Sequence, residues 1–478
     1  MARIRGRKRV GKQRGHTARR VRIGARDQRL TPCAGVEAVR EMDRVLGLTD
    51  VLDRHIGRVK QRARGVSGGQ LLTAMASCQL TGGDHLVALD RRRADVAGQE
   101  LEPVATPAST TAAGIAKRFT GAHLDGIEAA IGQVNTTMVA LVGQVRASTL
   151  LKVATIDGDT TDVEVYGRCK EHAEYSHGGQ RNLRPHIGFW AEAGVPLAAE
   201  LMPGADDPRS NCVDLLDRSI AALPEGVQRI RCRWDAGYFA GALAHACVRR
   251  EVEFAIGVKR TRPVIVAAGQ VPDHQWVPAI GMHDTEVAVI EYLPGSWPTD
   301  GVVCIARRTR IPVEKIPTER ARKRRTIPGD QLALALEGRL DHVYGYSFIL
   351  TNLDVDSPEK LAEVEWWYRH RTDIEALNKD AKLGGALRHL PSGDHAVNSV
   401  WMWAALLACA ISAWIQEITG VDRGNGRGRR TVARLRRDLI NVPARLSRRA
   451  GITVLRLPPG EQLLATVLPR LQQLPNPG

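Results

Sequence analysis

From Leu150 onward the chain alternates strand-like and helix-like segments, and that rhythm limits the possible fold more than any other feature. "LLKVATIDGDTTDVEVYG" is a β-rich run that meets two aspartates. "IGFWAEAGVPLAAELMPG" has the pattern of a hairpin turning at Ala193-Gly194, and "NCVDLLDRSIAALP" that of a helix. "IRCRWDAGYF" reads as a strand ending at Asp235, "LAHACVRR" as a helix and "VEFAIGVKR" as a further strand. Strands spaced by helices predict a sheet with helices packed on it, the α/β class.

The flanking segments extend this plan. Residues 31–145 carry apolar positions at helical spacing, as in "AGVEAVREMDRVLGLTDVLDRHI", and predict an all-helical region. Ser67 is placed to cap "GGQLLTAMASCQL". Residues 146–260 form the first part of the α/β core. Residues 261–341 break the rhythm into short strand-like pieces and read as a β-rich insertion. The core resumes over 342–418, where "HVYGYSFILTNLD" is a strand and Ser357 caps a long helix. Residues 419–478 read as a basic linker and a helical C-terminal region. "VWMWAALLACAISAWI", Val400 to Ile415, is the one membrane candidate, but it falls short of the ~18 apolar residues a span requires. It is expected to be a buried core helix.

Charge narrows the partners. Lys and Arg number 68 against 52 Asp and Glu, a net charge of +16, which favours a polyanion. The excess lies in three blocks: twelve basic residues against one acid in residues 1–30, nine against two in 306–325, and ten against one in 423–449. Three such blocks point to nucleic acid. "STTAAGIAKRF", Ser109 to Phe119, reads either as an ordinary capped helix or as a recognition helix whose Lys117 and Arg118 reach phosphates. The eight cysteines are scattered with no C-x-x-C pair, which argues against a zinc ribbon or a disulfide framework. The basic first 30 residues lack the apolar stretch of a secretory signal. A cytoplasmic location is expected.

The segment "EWWYRHRTDIEALNKDAKLGG", Glu365 to Gly385, reads as one helix with an unusual polar stripe. Measured from Tyr368 at about 100° per residue, Arg371 falls at about −60°, Glu375 at about −20°, Lys379 at about +20° and Lys382 at about −40°. The middle of one face thus carries a phenol, a guanidinium, a single carboxylate and one or two amines. Asp157 and Asp159 end one strand with the same parity and so share a face, and Asp235 ends another. Two strand-end carboxylates facing a helical carboxylate suit a pair of Mg²⁺ ions, which prefer oxygen ligands and leave positions open for phosphate. An isolated strand-end aspartate is otherwise a turn cap. "KEHAEYSHGG", with His172, Glu174 and His177, reads as a polar loop rather than a metal site.

These residues carry a resemblance. Tyr368-x-x-Arg371-x-x-x-Glu375, with Lys382 beyond it, resembles the Tyr-Arg-Glu-Lys signature of the bacterial insertion-sequence DDE transposases grouped under insertion sequences four and thirteen-eighty. "DGDTTDVEVYG" and "RWDAGYF" resemble that family's two aspartate strands, "FWAEAGVPLAAELMPG" its following hairpin and "FILTN" the strand before the signature helix. The resemblance implies an RNase H-like mixed sheet with a β-rich insertion. It implies a catalytic and metal-binding triad of Asp159, Asp235 and Glu375, with Asp157 as the alternative first acid. Asp159 is preferred because the family's first acid is typically followed by threonine. Implied as well are two Mg²⁺ ions, with Mn²⁺ as a substitute, and DNA contacts by Tyr368, Arg371, Lys379 and Lys382. A tryptophan of the insertion, Trp276 or Trp297, would stack on a flipped base. The implied activity is cleavage and strand transfer at element ends. Its partners would be double-stranded terminal inverted repeats and target DNA, bound by a homodimer in the bacterial cytoplasm without a membrane. A catalytically silent DNA-binding descendant and a nuclease without strand transfer are the alternatives.

Overall fold

The computed structural model of the chain describes residues 21–62, 64–176, 178–316, 326–421, 428–460 and 463–476. Most of the basic segment 1–30, His177, the end of the second basic block and most of the basic linker lie outside the described residues. The principal strands are β1 (Leu30–Thr31), β2 (Ala154–Thr160), β3 (Arg181–Trp190), β4 (Val195–Pro203), β5 (Ile230–Trp234) and β6 (Glu253–Gly257). They continue with β7 (Thr285–Ile290), β8 (Val303–Pro312), β9 (His342–Thr351), β10 (Ala444–Arg449) and β11 (Ile452–Arg456).

Among the described residues a large mixed sheet of eleven strands dominates. Its spine runs β3-β2-β5-β6-β9-β8-β7, with β4 hydrogen-bonded to β3. β2, β5 and β6 are parallel neighbours, and the other pairings along the spine are antiparallel. The expected hairpin forms as β3 and β4, with Gly194 in the left-handed region at φ 70° in the turn. The helices Cys212–Ala221 and Gly241–Arg249 carry the chain between the parallel strands, the crossover that parallel pairing demands. The strand-like pieces of residues 261–341 do not stand apart from this sheet. β8 pairs with β9 along its whole length, so these strands extend the central sheet outward.

Among the described residues eight helices precede β2, from Val36–Leu46 to Gln144–Lys152. Ser67 makes a full capping box with Gln70, as its position predicts. These helices and the sheet share one contiguous apolar core that runs from Cys33 to Leu471. His395–Thr419 lies inside it. This helix is long and apolar enough to cross a membrane, but 94% of its most apolar window is buried within the protein. It contacts the Gly68–Leu80 helix, β4 and the Thr372–Leu383 helix.

Two expectations need correction. Glu365 to Gly385 is not one helix: Pro358–Arg369 and Thr372–Leu383 are separate, interrupted at His370-Arg371. Nor is the C-terminal region wholly helical. β10 and β11 form a hairpin that joins β1 in a second, three-stranded sheet before the helix Leu463–Gln472. Its turn, Ala450-Gly451, has φ of 50° and 80°. Two successive left-handed residues give a tight turn whose twist suits a hairpin. The alternation in "ARLSRR" and "ITVLR" around Ala-Gly was the available signal.

Candidate functional site

In open α/β sheets the carboxyl ends of parallel strands leave a crevice that helices do not cover. The carboxyl ends of β2 and β5 supply the two aspartate positions here. Asp157 and Asp159 share a face, as strand parity requires, yet their surroundings differ. Asp157 lies beside Arg233 in the parallel register. It accepts Arg233 Nε at 2.7 Å and Nη2 at 2.8 Å and is fully buried. The third arm of that guanidinium donates to the Trp367 carbonyl at 2.7 Å. Both oxygens of Asp157 are therefore engaged in a bidentate pair. Burial raises its carboxyl to about 6, against the opposing pull of Arg233.

Asp159 lies one pleat further out, at the mouth of a cleft of about 500 Å³ that Glu375, Lys379, Lys382 and Arg388 also line. It accepts the Thr160 N–H at 2.9 Å and Asn378 Nδ2 at 3.2 Å. Burial pushes its carboxyl up to about 6; Arg371 pulls it down, while the negative charges of Asp235 and Glu375 push the same way as burial. Asp235 follows β5 and accepts the Gly237 N–H at 2.7 Å, capping a one-turn 3₁₀ helix. The turn-cap role is thus real, but the side chain remains 43% exposed and faces a second cleft with Thr160, Arg184, Arg209 and Lys259.

Arg371 joins the two aspartates. Its Nη1 lies 4.0 Å from Asp159 Oδ1 and 3.5 Å from the Gly158 carbonyl, and its Nη2 lies 4.0 Å from Asp235 Oδ2. Burial pulls Arg371 down, but Asp159 foremost, with Tyr368 and Asp235, holds it above its ordinary value. The interruption between the two helices places Arg371 at the N-cap of the second, where its side chain reaches back over the strand ends. Glu375 sits in the first turn of that helix, where the macrodipole favours an anion. Asn378, Lys379 and Lys382 follow it at helical spacing along the same cleft.

Two glycines make the approach possible. A Cβ on Gly158, between the aspartates, would lie 1.8 Å from the Trp234 ring. One on Gly257 would lie 2.6 Å from the Tyr368 hydroxyl. Tyr368 uses that space to donate its hydroxyl to the Trp234 carbonyl at 3.2 Å, and burial raises its phenol to about 12. Lys382 donates to the Asp162 carbonyl at 2.7 Å, and burial lowers its pKa. Tyr368 and Lys382 thus brace the site's own strands.

Among the described residues no group of three or more Asp, Glu, His or Cys side chains is placed to hold a metal ion. The donor chemistry fits a hard divalent cation, since Asp159 and Glu375 in one cleft and Asp235 in the other offer only carboxylate oxygens. Their mutual repulsion is offset there by Arg371 from 4.0 Å.

Other expected contacts lie elsewhere. The base-stacking expectation for Trp276 and Trp297 must be corrected, because both rings are covered. Trp276 is 6% exposed beneath the Arg308 guanidinium, 4.2 Å from its centroid, and Trp297 is 4% exposed against Phe239. Lys117 pairs with Asp394 at 3.1 Å, and the helix before it ends at Ala116. Arg118 is exposed. Ser109 does not cap its helix; its hydroxyl donates to Asp90 at 2.6 Å. Much of the basic second and third blocks is neutralised internally, as in Arg307 with Glu365 and Arg429 with Glu417. Sequence reasoning missed Arg233, Asn378, Arg388, Arg184, Arg209 and Lys259. Only Asn378 and Arg388 stood near a recognised stripe; the others come together through pairing of distant strands.

The family model described as transposase DDE domain group 1 matches residues 13–315 and 335–476. No curated protein matches the chain. Among solved structures, the chain is similar to the piggyBac transposase in a cryo-EM synaptic complex with hairpin DNA. That likeness has 8% identity and a TM-score of 0.44, covering 84% of this chain and 78% of that one.

Proposed function

The chain belongs to the DDE transposase family, and from that premise we propose that it cleaves element ends and transfers them to target DNA by a cut-and-paste route. In this reading it is of the insertion-sequence four and thirteen-eighty type, with an RNase H-like core and with Tyr368, Arg371, Glu375 and Lys382 as its signature. The observation that carries the reading is the placing of Asp159 and Asp235 at the carboxyl ends of two parallel strands, with Arg371 between them and Glu375 lining the cleft of Asp159.

DDE transposases generally use divalent metal ions, and here Asp159, Asp235 and Glu375 would hold two Mg²⁺, with Mn²⁺ able to substitute. Bound there, the ions would polarise the scissile phosphate and ready a water or a 3′-hydroxyl for in-line attack. The chain's own groups do the rest. Arg371 offsets the repulsion of the carboxylates and faces the phosphate that enters between them. Lys379, Lys382 and Arg388 flank one cleft, and Arg184, Arg209 and Lys259 the other, so that backbone phosphates meet cations on both sides of the acids. Asp157 is the weaker candidate for first acid, because both its oxygens already serve Arg233.

The test is cleavage of duplexes spanning the ends of the element that carries the gene, in Mg²⁺ or Mn²⁺, by wild type and by Asp159→Asn, Asp235→Asn and Glu375→Gln. Loss of cleavage by roughly a thousandfold or more with DNA binding retained is expected for each, the scale on which removing a key electrostatic group acts. Binding without cleavage by the wild type would favour the silent DNA-binding descendant. Nicking without joining would favour the nuclease.

A further inference from the structure

The small sheet gathers parts of the chain that lie far apart in sequence. β1 is the end of the first basic block, and β10 is the end of the third. In the ladder Leu30 lies opposite Arg445, Arg445 opposite Arg456, Ser447 opposite Val454, and Arg449 opposite Ile452. Residues paired across an antiparallel ladder share a face, so these seven side chains cover one side of the sheet. Ala444 and Leu446 on the other side are buried at 4% and 5% and anchor the sheet to the core.

The outward face is unusual for a structural surface. Leu30, Val454 and Ile452 are 54%, 40% and 67% exposed among the three arginines. Arg445 and Arg456 oppose each other directly, an arrangement that costs the ladder stability. Asp27 pairs with Arg445 at 3.0 Å, while Arg449 and Arg456 have no ion-pair partner among the described residues. No residue of this sheet lines either cleft at the aspartates.

We propose that this face is a DNA-docking surface, distinct from the catalytic clefts, on which the β10–β11 ribbon grips duplex DNA. The proposal rests on the family's use of DNA and adds where a second segment of duplex is held. A two-stranded β-ribbon fits the major groove. Arginines there meet phosphates or guanine edges, while Val454 and Ile452 can lie against thymine methyl groups and sugars. A second copy of the chain fits less well. A two-fold contact through this face would set the same arginines against one another, and Asp27, which pairs with Arg445, is already engaged.

The full-length chain and its Arg449→Ser/Arg456→Ser variant would be titrated against a short labelled duplex of random sequence over a range of NaCl concentrations. Both arginines are exposed and have no ion-pair partner among the described residues, and Arg456 opposes Arg445, so the melting temperature should not fall. The variant should bind roughly tenfold or more weakly at low salt, and its log–log salt slope should drop by about two, one for each lost phosphate contact. Arg449→Lys/Arg456→Lys should restore most of the slope. Unchanged affinity and slope would overturn the proposal. So would an unchanged slope with altered sedimentation, which would assign the face to self-association. Because the readout is binding, it stands or falls separately from the cleavage test of Asp159, Asp235 and Glu375.

Discussion

Arg233 spends its guanidinium on Asp157 and on the Trp367 carbonyl, deep inside the sheet. A buried charge pair is strongly destabilising when halved and close to neutral when replaced as a unit. Arg233→Ala should therefore lower unfolding stability in urea by about 3–5 kcal/mol, and Asp157→Asn combined with Arg233→Met should recover most of it. Asp159 behaves in the opposite sense. Burial already opposes its ionisation, so Asp159→Asn should leave the fold at least as stable as wild type while removing cleavage. If Asp157→Asn abolished cleavage per folded molecule and Asp159→Asn did not, the first acid would have to be reassigned.

The break at His370-Arg371 matters more than either helix it separates. A continuous helix would carry Arg371 on along its own surface; the interruption lets the side chain span the ends of β2 and β5. Tyr368 ties the first helix to β5 through the Trp234 carbonyl, so Tyr368→Phe should cost about 0.5–1.5 kcal/mol and slow cleavage. DNA affinity should hardly change, since that hydroxyl is directed at the protein; a large fall in affinity with normal stability would restore the direct DNA contact expected from the sequence. At Gly158 the Trp234 ring leaves no room for a methyl group. Gly158→Ala should destabilise by about 1–3 kcal/mol and displace Asp159, which thermal melting and cleavage together would detect.

Across the whole molecule, the N-terminal helices are tied to the sheet by polar contacts as well as by the shared core. Glu128, on the Gly121–Leu141 helix, accepts the Ala199 N–H of β4 at 3.0 Å and Arg218 Nη1 at 2.6 Å. Burial raises it to about 7, against the opposing pull of Arg218. Its folded pKa exceeds the unfolded value, so the folded state binds the proton more tightly. The stability this group contributes is then full below pH 4.5 and is lost as pH rises toward 7. Glu128→Gln mimics the protonated form, and its unfolding free energy in urea should gain on wild type across that window, by on the order of 3 kcal/mol at most. A pH-independent difference would refute the linkage. What the sequence by itself determined was local: the strand–helix alternation, the shared face of Asp157 and Asp159, the turn after Asp235 and the spacing of Glu375, Lys379 and Lys382. These follow from backbone periodicity, which acts over a few residues. Only the tertiary structure decided that Arg233 takes Asp157 and leaves Asp159 to the cleft, that Arg308 and Phe239 cover Trp276 and Trp297, and that β1 and β10 meet in one sheet. Each of these depends on which distant segment supplies the neighbour. Burial and charge pairing are set by that choice, and no local pattern in the chain encodes it.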